Sequence, residues 1–188
     1  MANYIQSGMI LERLKESKNI LLNCHVGPDL DSIGSATAMY EVLKGWKKKV
    51  TIICPSIIPE KFKLLNHCSE INTVDFSKFD FSTFDLFLVL DTSSDNRITG
   101  SKEINLPKNL ERIVIDHHIT NEYKGEVNIL DVNASATTEI LFRVFQDWNI
   151  TITPDMATAL YSGMAGDTVF FKYLINPRKL FSIMTELL

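Results

Sequence analysis

The chain has 188 residues, 45% hydrophobic and 22% charged, an ordinary globular composition that supports one large domain with a proper core. A net charge of −4 excludes a basic field for long nucleic acid, although bound divalent cations would reverse the local sign for a small anionic substrate. No apolar stretch approaches the length of about 20 residues that spans a bilayer, and residues 1–15 lack the apolar centre of a signal peptide.

Residues 5–15 are predicted as a helix that packs against a sheet, with Ile5, Met9, Ile10, Leu11 and Leu14 near one face. Residues 20–24 form a continuous apolar run of the buried-strand type. Behind it come His25, a Gly27-Pro28 turn, and Asp29 and Asp31 with one residue between them. From Ser32, Ile33, Ala36, Met39, Tyr40 and Leu43 recur at helical spacing, and Gly45 ends the helix. Asp31 is placed at the mouth of that helix, where exposed N–H groups favour an anion, and Gly34 is expected to allow close packing.

Residues 50–54 are the second strand, stopped by Pro55; 59–65 read as a short helix and 71–74 as a minor strand. Residues 86–90 are strongly apolar and end in Asp91, and 112–115 end in Asp116-His117-His118. Residues 126–130 are a weaker strand candidate. The helix over 136–148 turns Ile140, Leu141, Val144, Phe145 and Trp148 inward. Thr153-Pro154, a cap followed by proline, opens a helix toward Gly163; 163–168 then read as a small-residue turn before Val169-Phe170-Phe171. Asn176-Pro177 repeats the signature and opens a last helix with Leu180, Phe181, Met184 and Leu187. Buried-type strands alternating with helices indicate an α/β fold, Rossmann-like and doubly wound, around a mainly parallel sheet.

In such sheets ligands bind beyond the carboxyl ends of the strands. The first strand ends in His25 with Asp29 and Asp31 close behind, the 86–90 strand in Asp91, and the 112–115 strand in Asp116, His117 and His118. One strand ending in Asp is an ordinary turn or cap. Three such ends hold three of the four histidines, and clustered aspartates without cations repel one another. His67 lies in a polar loop and reads as a surface histidine. The donors are carboxylate and imidazole without an evident thiolate, which favours Mn2+ or Mg2+ over a structural zinc site. They outnumber the needs of one ion, so two ions about 3.5–4 Å apart sharing a carboxylate are expected. Cys24 should face away from His25. With Cys54 and Cys68 it makes an odd count without zinc-type spacing, read as reduced thiols of a cytoplasmic protein. No G-x-G-x-x-G follows the first strand, which sets aside a dinucleotide cofactor.

His25-x-x-Pro28-Asp29-x-Asp31-Ser32-x-Gly34-Ser35, then Asp91, Asp116-His117-His118 and Gly166-Asp167-Thr168, resemble the ordered motifs of the DHH phosphoesterases. The resemblance runs from about residue 20 to 176. Ala134-Ser135-Ala136-Thr137-Thr138-Glu139, Asp167-Thr168-x-Phe170-Phe171-Lys172-Tyr173 and Arg97 are similar to the oligoribonuclease and pAp-phosphatase branch.

That resemblance implies that His25, Asp29 and Asp91 hold one metal, and that Asp31, Asp91, His117 and Asp167 hold the second with Asp91 bridging. His118, and with it Arg97, would contact the substrate phosphate, while Asp116 would orient the histidines. The implied activity is hydrolysis of short oligoribonucleotides or pAp by attack of a metal-bridging hydroxide on phosphorus. The alternatives are a cyclic-dinucleotide phosphodiesterase or other phosphodiesterase or pyrophosphatase of the superfamily, and a metal-binding regulatory module without turnover. The family pattern has glycine where Val169 stands. It also carries a glycine-rich segment, with a histidine, in a second domain, and no histidine follows His118 here. Residues 1–176 are therefore expected to be the catalytic domain and 177–188 the start of an interdomain helix, without the C-terminal substrate-binding domain. A nucleotide or short nucleic acid substrate, no membrane, and a possible homodimer complete the expectation.

Overall fold

The structure, a computed structural model, describes residues 4–100, 106–121 and 125–188. Six strands are formed by β1 (Asn19–Asn23), β2 (Lys49–Cys54), β3 (Ile71–Thr73), β4 (Leu86–Leu90), β5 (Glu111–Asp116) and β6 (Val127–Leu130). Between and after them run α1 (Ser7–Glu16), α2 (Leu30–Gly45), α3 (Asp95–Thr99), α4 (Thr137–Asp147), α5 (Pro154–Asp167) and α6 (Pro177–Leu187). The strands make one sheet in the order β3-β2-β1-β4-β5-β6, with every neighbouring pair parallel. The chain winds outward from β1 to β3, then crosses back to β4 and winds the other way. The crevice beyond β1 and β4 is therefore a topological switch point, where a sheet of this kind binds its ligands.

Alternation along the strands sorts the apolar residues to two faces. Ile20, Leu22, Ile52, Leu86, Leu88, Leu90, Ile113 and Ile115 join the main core with residues of α1, α2, α4, α5 and α6. Leu21, Ile53, Phe87, Val89 and Val114 face a smaller cluster closed by Ile98 of α3, Phe81 and Leu110. Both faces are dry, which is why the strands read as continuous apolar runs. The α/β parallel architecture thus agrees with the sequence, with helices on both sides of the sheet.

Several local expectations change. In α1 the buried side chains are Ser7, Ile10 and Leu14, while Ile5 and Met9 are exposed. Residues 59–65 provide only a 3-10 turn at Glu60–Phe62. α2 starts at Leu30, because Asp29 caps it by accepting from the N–H groups of Asp31 and Ser32 at 3.1 and 3.0 Å. α5 does not stop at Gly163 but continues to Asp167. Glycine is tolerated there because a Cβ on Gly163 would lie 2.5 Å from Thr138, and one on Gly166 2.7 Å from the Leu30 Cβ. Close helix contact outweighs propensity. Gly34 likewise faces the Ala159 carbonyl too closely for any side chain. Among the described residues, no helix is long and apolar enough to cross a membrane.

Candidate metal centre

β1 runs directly into His25, whose backbone N–H donates to the Ser32 hydroxyl at 3.1 Å, tying the loop to α2. The ring Nδ1 lies 2.9 Å from the Val26 carbonyl. With Nδ1–H donating there, Nε2 points at two carboxylates, Asp29 Oδ2 at 3.5 Å and Asp91 Oδ2 at 3.4 Å. Arg97 of α3 sets its guanidinium 3.2 Å from both ring nitrogens. Cys24 faces away from His25, buried, its thiol donating to the Ser32 carbonyl at 3.8 Å.

Asp91 follows β4 in a left-handed conformation, φ 53°, and is 2% exposed. While its Oδ2 faces His25, its Oδ1 lies 3.7 Å from His117 Nε2. His117 Nε2 is buried without a hydrogen bond, 3.3 Å from Asp167 Oδ2 at the end of α5. Asp31 completes that side. Its carboxylate accepts from the N–H groups of Thr137 and Thr138 at 2.6 and 2.9 Å and from the Thr138 hydroxyl at 2.6 Å. Asp31 is therefore held by the N-terminus of α4, and Asp29 serves α2.

Among the described residues the ligand atoms gather in three groups, His25 with Asp29 and Asp91, Asp31 with His117 and Asp167, and Asp91 with Asp116, His117 and His118. Within each, one ligand atom from every residue lies within 4.8 Å of the others. Asp116 stands behind them, fully buried. One oxygen holds His118 Nδ1 at 2.7 Å and the other accepts from Asn121 Nδ2 at 2.5 Å. Asp29, Asp167 and His118, 52%, 27% and 38% exposed, form an open rim around the buried His25, Asp31 and Asp91. Arg97 is exposed and lies beside the first group, and His67 lies elsewhere, 3.6 Å from Glu41.

Electrostatics describe the same crowding. Burial and the Asp31 charge push the Asp91 carboxyl well above its ordinary range, against the pull of His25. Burial, with the charge of Asp31, raises Asp167 to about 6. Burial opposes protonation of His25, yet Asp29 and Asp91 outweigh it and raise the imidazole to about 10. The same pairing, aided by the Ser32 N–H, lowers Asp29 to about 2 despite burial. The Asp116 hydrogen bond raises His118 to about 9, against burial. A proton on His25 Nε2 satisfies the same carboxylates that a divalent cation would. His117 Nε2, buried without a hydrogen bond and aimed between two carboxylates, fits a cation equally well, since leaving a buried polar atom unsatisfied costs about 1–3 kcal/mol. The donors are imidazole and carboxylate only, a set that could hold a divalent cation.

Residues 19–164 match the DHH family, N-terminal domain. The chain belongs to the DHH family. A relative in Streptococcus mutans, the probable bifunctional oligoribonuclease and PAP phosphatase NrnA, is 26% identical over 179 residues, covering 95% of this chain and 55% of its own. The solved exopolyphosphatase-related protein from Bacteroides fragilis superposes with a TM-score of 0.88 at 26% identity, over 97% of this chain and 55% of that one. RecJ in complex with Mn2+ from Thermus thermophilus gives a TM-score of 0.51 at 13% identity, over 96% of this chain and 26% of that one, a likeness of fold alone. This DHH chain spans about half the length of the first two.

Two parts of the DHH site escape sequence reasoning. Asn121 holds Asp116 and the Thr92 carbonyl together, but an asparagine in a loop has no distinguishing pattern. Thr137 and Thr138 lie in a segment whose resemblance is visible while its task is not. The one physical signal is Ala136, a residue that cannot cap, at the start of a strong helix.

Proposed function

We propose that this DHH domain is a phosphoesterase that hydrolyses short oligoribonucleotides and pAp with two divalent cations, Mn2+ or Mg2+. His25, Asp29 and Asp91 would hold one, and Asp31, Asp91, His117 and Asp167 the other. The observation that carries this reading is Asp91, buried at the switch point with one oxygen toward His25 and the other toward His117. The Streptococcus mutans relative, a probable oligoribonuclease and PAP phosphatase, supports the substrate class.

Bound cations supply Lewis acidity, neutralising phosphoryl charge and lowering the pKa of water from about 15.7 toward about 7. The chain supplies the rest. Asp116 fixes His118 by Nδ1 and keeps it protonated, so that Nε2 donates to a phosphoryl oxygen at the open rim. Arg97 adds fixed positive charge beside the first group. Buried Asp31 and Asp91 cannot swing, so the ligands are placed before substrate arrives.

The decisive experiment is hydrolysis of di- to pentaribonucleotides and of pAp with Mn2+ by the wild type and Asp91→Asn. Asparagine tolerates the left-handed backbone, so the fold should survive while the rate falls by about a hundredfold or more. Equal rates would sink the proposal. Turnover confined to cyclic dinucleotides would move the substrate class, and Mn2+ binding without any hydrolysis would favour a metal-binding regulatory module.

A further inference from the structure

α4 begins at Thr137 behind Ala136, which offers no side-chain cap. A helix start leaves several N–H groups unpaired. Here they are taken by a carboxylate 106 residues away in sequence: Thr137 N donates to Asp31 Oδ2 at 2.6 Å and Thr138 N to Asp31 Oδ1 at 2.9 Å. The Thr137 hydroxyl turns the other way and donates to Asp91 Oδ1 at 3.1 Å. That oxygen is the one facing His117 Nε2 at 3.7 Å. Thr137 is fully buried, and neither donor has water as an alternative. One residue thus grips Asp31 by its backbone and Asp91 by its side chain.

We infer that Thr137 is the positioning residue that couples the two cation groups, its backbone N–H setting Asp31 and its hydroxyl fixing the rotation of the shared Asp91. The inference rests on the proposed two-cation reading. With the hydroxyl in place, Asp91 Oδ1 is committed to the His117 side and Oδ2 to the His25 side. Without it the carboxylate turns toward His25, which it already meets, and its Oδ1 no longer faces His117. Gly163 closes the arrangement: a Cβ there would lie 2.5 Å from Thr138 and 2.8 Å from Asp31 Oδ1, so α5 seats directly on this junction and delivers Asp167 to it.

The test is Mn2+ titration followed by calorimetry and by the electron paramagnetic resonance signal of free Mn2+, on wild type, Thr137→Val and Thr137→Ser. The wild type should take up two ions. Thr137→Val should keep the first ion within about threefold and bind the second about tenfold or more weakly, the size expected for one hydrogen bond to a charged acceptor. Thr137→Ser, which keeps the hydroxyl, should restore both. Should valine prevent folding, Thr137→Ala removes the same hydroxyl without its bulk and carries the same expectation. Unchanged affinities in Thr137→Val or Thr137→Ala, or a serine variant as weak as they are, would overturn the inference while leaving the cation reading intact. A wild type that binds no Mn2+ would overturn the cation reading itself.

Discussion

Val169 sits two residues after Asp167 with a left-handed backbone, φ 50°, and is followed by Phe170 and Phe171 at 51° and 70°. Each such non-glycine residue costs about 1–2 kcal/mol, and a β-branched one is a true outlier. The turn persists because it is tied at every step. Val169 N donates to the Gly166 carbonyl at 3.0 Å, Phe170 N to Ala165 at 2.7 Å, and Tyr173 N to Thr168 at 3.0 Å. Phe171 then packs near Tyr161 and Phe181. The glycine that the family pattern has at this position is thus explained by the sign of φ. Val169→Gly should stabilise the protein by about 1 kcal/mol, the strain relieved less the extra freedom of the unfolded chain, raising Tm by about 2–4 °C. A melt showing a lower Tm would mean that the valine side chain, 53% exposed, contributes packing that outweighs its strain.

Among the elements, those whose boundaries depend on their own residues were the legible ones. β4 matches its apolar run residue for residue, and the Thr153-Pro154 and Asn176-Pro177 starts open α5 and α6 as their caps require. The end of α5 was hidden because glycine serves contact with α2 and α4 there, a property of the partners. The cap of α4 was hidden for the same reason, since its acceptor belongs to α2. Beside that cap, the buried Glu139 of α4 lies 3.2 Å from Lys179 of α6. Arg143 reaches Asp131 at 2.8 Å, and Tyr4 donates to the same carboxylate at 2.7 Å. Burial would raise the Asp131 carboxyl, but Tyr4 and Arg143 outweigh it and hold it below its ordinary value. Asp131 therefore contributes stability above an unfolded pKa of about 3.9 and loses it as pH falls through its lower folded value. Asp131→Asn should be less stable at pH 7 by about 1–3 kcal/mol, and the gap should narrow below about pH 4. A gap constant across an acid denaturation series would refute that attribution.

At the scale of the molecule, the order of the strands does most of the work. β1, β4 and β5 are neighbours, so the histidine and aspartates at their ends meet, and the sequence conveys this once the sheet is recognised as parallel. What it cannot convey is the rotation of each carboxylate, which is fixed by donors from distant segments such as Thr137 and Asn121. The contact between Asp31 and Thr137 carries a kinetic consequence. The second group needs Asp31 to be held against α4, more than a hundred residues downstream of the first loop, so any cation there would be captured by a chain that has already folded. Mn2+ should then leave the refolding rate nearly unchanged and slow unfolding, acting as a latch and not as a nucleus. Stopped-flow fluorescence can follow both limbs from Trp46 and Trp148, the two tryptophans of the chain, whose rings lie 5.7 Å apart between the end of α2 and the end of α4. Refolding accelerated in proportion to Mn2+ would show the ions arriving first.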